Sequence, residues 1–228
     1  MSHSFVDLYV DKDLFDKIIK GRIMKRLLTI ILTLAFASLS YGDAFKLMTG
    51  LNLSRYSVSP QEKNTQWSHK MGFCVGGGFE FDITDHIVME VDWLLLQKGS
   101  RVKFKTSPDV KTNYSLRTIS SPIFAQIKFK RDFPFYVIGG GEVSLILSHG
   151  LEKEIGENVD QQDLKENTKS FDFGLVFGCG CEAKVSQFQS FFVEARYQYG
   201  LANVLMESQG YESMKTNTIL FILGIKSY

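Results

Sequence analysis

The sequence is poor in cysteine, in proline and in net charge, and each shortage excludes a class of protein. Only 3 of its 228 residues are cysteine, and an odd number cannot complete a disulfide framework. With 4 prolines and 44% hydrophobic residues, the chain is neither collagen-like nor disordered. The 26 basic and 25 acidic residues leave a net charge of +1, which argues against binding to nucleic acid phosphates.

Long hydrophobic runs are also missing. The longest, from Leu27 to Leu39, is shorter than the roughly 20 residues that a membrane-spanning helix needs. Lys25 and Arg26 precede this run, and small residues including Ser40 and Gly42 follow it. That three-part layout predicts a secretory signal peptide over residues 24–42, with cleavage after Gly42. The protein is therefore expected to be exported through the inner membrane.

Residues 1–23 stand ahead of the basic pair, where a signal peptide does not normally extend. One interpretation is that Met24 is the true start. The other is a short cytosolic amphipathic extension built on Phe5, Leu8, Phe15 and Ile18. In either case residues 1–42 contribute nothing to the fold, and the domain to be explained is 43–228.

What the chain does contain is 19 Phe, 9 Tyr and 19 Gly, a composition that favours closely packed β-structure. From residue 43 onward, eight stretches alternate hydrophobic with polar or small residues at period two, which predicts eight strands. In the clearest stretch, Phe191, Val193 and Tyr197 share one face, while Glu194 and Arg196 share the other.

The apolar faces of the predicted strands indicate which side of the sheet contacts lipid. They are aromatic and continuous over about ten residues per strand, which is the length that a tilted strand needs to cross a bilayer. Predicted connections are short at 84–86, 130–134 and 186–189 and long at 57–68, 99–113, 149–169 and 206–215. Such alternation is typical of outer-membrane barrels. The fold class predicted is all-β, an eight-stranded antiparallel up-and-down transmembrane barrel in the outer membrane.

Five segments resemble a known family. They are the start of the fourth strand at Ser121–Ile123, the fifth strand at Tyr136–Gly141, FDFGLVFGCGCE from Phe171 to Glu182, VEARYQYGLANV from Val193 to Val204, and the final ILGIKSY. Together they resemble the small eight-stranded OmpA-like and PorT-like outer-membrane barrels of Bacteroidetes. The resemblance spans nearly all of residues 44–228. It implies a structural or interaction role, and its PorT-like side implies a part in a secretion or assembly complex.

Charged residues fall on the face predicted to line the barrel. An eight-stranded barrel is just wide enough for its side chains to fill, and buried charges must be paired. We therefore expect an ionic plug, no cofactor, no metal and no catalysis. The predicted interior polar network comprises Glu80, Glu90, Asp92, Gln126, Lys128, Glu142, Asp172, Glu182, Glu194 and Arg196.

Three other functions remain open at this point. A lipid-modifying barrel enzyme would need an outward Ser and His close in space, and Ser148 and His149 are adjacent at a strand end, so they are expected to point to opposite faces. A small-solute pore would need an open interior. A soluble periplasmic lipocalin-like binder would need the aromatic band turned inward.

Two predicted loops differ in charge. The stretch 149–169 is acidic, whereas 99–113 is basic and carries Arg101, Lys103, Lys105 and Lys111. Because Lys and Arg bind phosphate well, these four residues are candidates for contact with lipopolysaccharide phosphates. The partners expected are outer-membrane lipid, lipopolysaccharide and proteins of a secretion or assembly complex.

Overall fold

A computed structural model describes residues 43–59, 65–104, 107–130, 133–155, 158–204 and 213–228, without the side chains of 104, 107–111, 130, 133–134, 155 and 158. The predicted signal peptide and the segment before it lie outside these residues. Nine strands are described: β1 Ala44–Ser59, β2 Thr65–Asp82, β3 Ile87–Phe104, β4 Ser107–Lys130, β5 Phe133–Ile155, β6 Asn158–Asp163, β7 Phe171–Lys184, β8 Gln189–Gly200 and β9 Ser213–Ser227.

Eight of the strands close into a barrel. Each pairs antiparallel with the next, and β9 pairs with β1 from Phe45–Ser227 to Ser59–Ser213. The short β6 extends the sheet beyond β5 at one end, so β5 pairs with both β6 and β7. Closure removes the unpaired edges that an open sheet would leave. The predicted eight-stranded barrel is confirmed.

Helix is confined to one 3-10 turn, Lys165–Asn167, in the part of the chain that is described. No helix there is long and apolar enough to cross a membrane.

Strand alternation separates an apolar outside from a polar inside. On β8, for example, Phe191 and Val193 are exposed by more than half, whereas Glu194 and Arg196 are each 1% exposed. Without water to hydrogen-bond the backbone, a bilayer accepts only a closed barrel of this kind among β-structures. The exposed apolar side chains form a band that includes Phe45, Leu51, Phe73, Leu95, Ile123, Phe129, Val143, Phe173, Phe177, Phe191, Val193, Phe221 and Leu223. A soluble lipocalin-like binder is thereby ruled out, because its apolar face would point inward.

The two ends of the barrel differ. One end carries the short connections at 83–86 and 185–188 together with Asp43 and Tyr228. At the other end the strands continue past the apolar band, where outward residues become polar at Arg55, Gln97 and Arg117. Outer-membrane barrels have short periplasmic turns, so the first end is the periplasmic one. We call the polar outward positions at the second end the outer rim.

Three of the four predicted long connections are largely wrong, and most of the fourth, 206–215, lies outside the described residues. Most of 99–113 lies in β3 and β4, and 149–155 continues β5 before β6 pairs back onto it. β1 extends to Ser59 and β2 starts at Thr65. Above the membrane the outward face of a strand is polar and the lumen face mixes polar with apolar side chains, so the hydrophobic alternation that marks a strand in sequence disappears there.

Apolar residues also line part of the interior, which the predicted ionic plug did not include. Met48, Cys74, Leu94, Leu220 and Ile222 belong to one buried cluster that also contains Leu96 and Phe192. They share inward parity with the charged residues of their strands. The interior is thus a layer of ion pairs next to a layer of hydrocarbon.

Candidate functional site

Arg196 on β8 is the centre of the interior network. Its Nη1 lies 2.5 Å from Oδ2 of Asp92 on β3, and its Nε donates to Oε2 of Glu194 at 2.6 Å. Nη2 donates to Oε1 of Glu90 at 3.3 Å. The guanidinium also stands 4.7 Å from the ring centroid of Phe124. Strands β8 and β3 are on different walls, so these bonds cross the lumen.

Two lysines extend the network toward the periplasm. Lys46 Nζ lies 2.5 Å from Glu90 and 3.0 Å from Glu194, and 4.1 Å from the ring centroid of Phe192. Lys226 bridges Glu80 at 2.7 Å and Glu182 at 2.6 Å. Neither lysine is among the ten predicted residues, although the even positions of β1 and β9 give both the parity of the inner face.

A second set of polar contacts lies nearer the outer end. Lys98 Nζ is 3.0 Å from Oε1 of Glu142, which also accepts a hydrogen bond from Ser144 at 2.7 Å. Asp172 accepts from Thr216 at 2.6 Å. Each of these side chains is at least nine-tenths buried.

The structure places most of the predicted network residues together. Glu80, Glu90, Asp92, Gln126, Glu142, Asp172, Glu194 and Arg196 are buried inside the barrel, Glu182 is at its periplasmic end, and Lys128 is half-buried. Tyr136, which sequence reasoning missed, donates to Glu194 at 2.7 Å. An aromatic residue with an inward hydroxyl leaves no distinctive pattern in sequence.

Carboxylates outnumber cations in this interior. Among the described residues, the seven carboxylates named above face four buried cations, Lys46, Lys98, Arg196 and Lys226, and the half-buried Lys128. Four of the acids have one oxygen without a protein partner among the described residues, namely Glu90, Asp92, Glu142 and Asp172. Those oxygens must be satisfied by protons or water, because a bare buried carboxylate is very costly.

An aromatic cluster closes the outer part of the lumen, beyond the apolar band. Tyr56 packs edge-on against Tyr114 and His149, and Trp67 stacks on Tyr114 with ring centroids 5.5 Å apart. His149 Nδ1 is 2.7 Å from the hydroxyl of Thr168, which donates to Leu164 O. The imidazole therefore donates from Nδ1, and burial lowers the pKa of His149 to about 4.

The pair Ser148 and His149 does not assemble a lipid-side active site. His149 is fully buried toward the lumen, and its neighbour Ser148 is half-buried. Among the described residues, no cluster of three or more His, Cys, Asp or Glu side chains is arranged to hold a metal. The three cysteines are free.

Three of the four basic candidates, Arg101, Lys103 and Lys111, lie on strands rather than in a loop. Arg101 and Lys103 are exposed on β3, where they line a cleft of about 310 Å³ with Val102, Asn113 and Glu154. Lys105 lies outside the described residues. Lys111 pairs with Lys103 through the backbone, but its side chain is not described.

A barrel that turns its apolar side chains outward and its ion pairs inward is a transmembrane β-barrel of the outer-membrane type. Residues 43–206 match the family described as "Outer membrane protein beta-barrel domain". The chain belongs to that family, and the protein is a small outer-membrane β-barrel protein.

Three solved structures that are similar to this chain come from other bacterial proteins. Neisserial surface protein A is 16% identical over 81% of this chain and 97% of its own, with a TM-score of 0.42. OprG from Pseudomonas aeruginosa is 12% identical over 82% of this chain and 95% of its own, with a TM-score of 0.49. Ail of Yersinia pestis is 13% identical over 81% of this chain and 98% of its own, with a TM-score of 0.40. No curated protein matches this sequence.

Proposed function

We propose that this protein is a closed outer-membrane barrel that acts by interaction at its outer surface and does not conduct solutes. The observation that carries the proposal is the bonding of Arg196 across the lumen to Asp92 and Glu90. Lys46 crosses from β1 to Glu194 on β8 and Glu90 on β3 in the same layer. A solute would have to break these buried pairs to pass.

The strand lengths support an outward-facing role. β4 has 24 residues and β5 has 23, whereas about ten suffice to cross a bilayer. The excess builds a sheet of β2–β6 beyond the outer rim. This surface is available to lipid headgroups or to other proteins.

The resemblance to PorT-like barrels adds to the proposal a cellular process in which the protein takes part. On that basis the protein takes part in an outer-membrane secretion or assembly complex, and the outer sheet is the surface offered to the other components. Crosslinking of the outer membrane from cells that contain a photo-reactive residue at Gln161, exposed on β6, tests this role. Recovery of secretion or assembly components supports it, and recovery of the barrel alone contradicts it.

Single-channel recording tests closure. We expect the purified, folded protein to give no conductance steps in planar bilayers. The variant that carries Lys46→Ala and Arg196→Ala should also give no steps, because the apolar cluster that contains Leu94 and the aromatic cluster around Tyr56 still fill the lumen. Steps from the native protein would contradict the proposal and favour a small-solute pore.

A further inference from the structure

We propose that the outward face of β2–β4 beyond the apolar band binds the phosphorylated head of an outer-leaflet glycolipid of the lipopolysaccharide type. The inference rests on the proposed function, since it requires an interaction surface beside the membrane. It names the partner of that surface and the residues that hold it. We call Arg117, Lys70, Arg101 and Lys103 the basic stripe.

The basic stripe starts directly at the edge of the lipid-facing band. Leu95, Ile119 and Leu145 form an apolar outward row across β3, β4 and β5, and the exposed Leu147 on β5 lies just beyond it. The next outward row contains Gln97 and the exposed Arg117. A guanidinium at this level meets the first polar layer of the membrane, where phosphates lie.

The side chain of Lys70 lies at the next level of the stripe, further from the membrane than Arg117. Gly99 has no side chain, and a Cβ there would stand 2.2 Å from the carbonyl oxygen of Tyr114 and 2.9 Å from Cδ of Lys70, so the glycine leaves room for the Lys70 stem to pass. Lys70 Nζ donates to the carbonyl oxygen of Tyr114 at 3.2 Å and to the hydroxyl of Ser115. An ammonium has three donors, so the side chain is held in place with one donor left for a ligand.

Arg101 and Lys103 form the top of the stripe. In the backbone register Arg101 stands opposite Asn113, and Asn113 stands opposite Glu152. From the Gln97 row to Lys103 is six residues, about 20 Å along the strand at about 3.3 Å per residue. With a tilt of about 40°, the difference in depth is about 15 Å.

This difference in depth indicates which class of lipid can contact the whole stripe. The headgroup region on one side of a phospholipid bilayer is only about 5–8 Å thick, so one phosphodiester cannot reach both Arg117 and Lys103. A glycolipid that carries phosphates on its lipid-anchored sugars and again on its outer sugars can reach both. The vertical spacing of the cations therefore favours lipopolysaccharide over a phospholipid.

The cleft at the top of the stripe has the polar groups that a sugar needs. Arg101 and Lys103 line it with Asn113 and Glu154, and Asn113 Nδ2 donates to Glu154 Oε1 at 3.4 Å. The carboxylate can accept from sugar hydroxyls and the amide can donate to them. Its volume of about 310 Å³ fits a phosphorylated sugar unit and is larger than a phosphate ion needs.

Binding to defined probes tests the proposal. The folded barrel in detergent, washed free of membrane lipid, is titrated with deep-rough lipopolysaccharide whose core is phosphorylated, with the same material after core dephosphorylation, with phosphatidylglycerol micelles and with heparin. The variants are Arg101→Gln with Lys103→Gln, and Arg117→Gln alone. The matched control is Arg55→Gln with Lys215→Gln, which removes two outward charges from β1 and β9 instead.

We expect the native protein to bind phosphorylated lipopolysaccharide about tenfold more tightly than the core-dephosphorylated form, the value of one charge-assisted contact. Arg101→Gln with Lys103→Gln should abolish that preference. Arg117→Gln should weaken both lipopolysaccharides by about tenfold, and the control should leave both unchanged. These results together establish the site.

Four results would overturn it: no preference for the phosphorylated core, equal losses in the control and the stripe variants, phosphatidylglycerol binding as tight as that of lipopolysaccharide, or heparin binding as tight as that of lipopolysaccharide. The last would indicate a soluble polyanion as the partner. If the native protein conducts, the proposed function fails. If it is folded and closed but shows no core preference, only this inference fails.

Discussion

Arg196 shows how a single side chain can hold this barrel together. It is fully buried and contacts Asp92, Glu194 and Glu90. Removing one partner of a buried ion pair leaves uncompensated charge and costs about 3–5 kcal/mol. We therefore expect Arg196→Leu to lower the free energy of unfolding by about that amount, as measured by urea titration of the barrel in detergent micelles.

Arg55→Leu is the control, because Arg55 is exposed at the outer rim and such substitutions change stability by about 0.5 kcal/mol or less. Arg196→Lys keeps the charge but loses the planar fork, so it should fall between the two. A stability for Arg196→Leu equal to that of Arg55→Leu would show that the interior pairs are not what stabilises the lumen.

His149 makes the outer end of the lumen sensitive to pH. Burial lowers its pKa to about 4, and Lys165 acts in the same direction, against a weaker opposing effect of Asp163. Between pH 6.5 and 4 the unfolded chain binds a proton at this site and the folded chain does not, so stability falls as pH falls. We expect His149→Gln to remove this component, and unfolding of both proteins at pH 7.5 and pH 4.5 measures it.

The difference in stability between the native protein and His149→Gln should be larger at pH 7.5 than at pH 4.5. Comparing the two proteins cancels the titration of carboxylates elsewhere. An identical pH dependence would mean that the imidazole is charged or hydrated in the folded barrel.

At the scale of the strand, two neighbouring glycines on β5 face opposite sides of the barrel wall. A Cβ at Gly140 would run into the carbonyl oxygen of Ile123 and into Phe124, whereas one at Gly139 meets only Phe177 Cδ1 at 4.0 Å. We expect Gly140→Val to prevent assembly and Gly139→Val, on the lipid side, to be tolerated. The fraction of protein that folds into detergent-resistant barrel checks this, and equal folding of both variants would contradict it.

A bulge on β5 also acts at this scale. Arg117 pairs with Ser148 and Thr118 with Ile146, so Leu147 has no direct partner on β4. The extra residue shifts the parity, which places Ile146 and His149 both inward. Strict alternation along the sequence would assign these two positions to opposite faces.

At the scale of the molecule, closure of eight strands predicts resistance to detergent. With every barrel strand paired on both sides, SDS has no free edge from which to open the sheet. The native protein from an outer-membrane fraction should run at different positions in gels with and without boiling. Recovery in the soluble periplasm without such a shift would contradict the membrane placement.

The sequence by itself determined the number of barrel strands, the lipid-facing residues and the acids of the interior, because a membrane imposes period-two alternation on each strand separately. Phe191, Val193 and Glu194 carry that signal within a few residues of one another. The same signal ends at Arg117 and Gln97, where the outward face becomes polar, and the outer strands were therefore mistaken for loops.

Only the tertiary structure decided which charges meet. Lys46, Glu90 and Arg196 lie on β1, β3 and β8, and their contacts depend on the register and closure of the whole barrel, which local alternation does not specify. The same holds for the basic stripe: Arg117 and Lys103 are separated along the chain, and the pairing of β3 with β4 alone places them one above the other. Which residues pair across strands is a non-local property of the fold, whereas the side of the sheet that a residue faces is a local one.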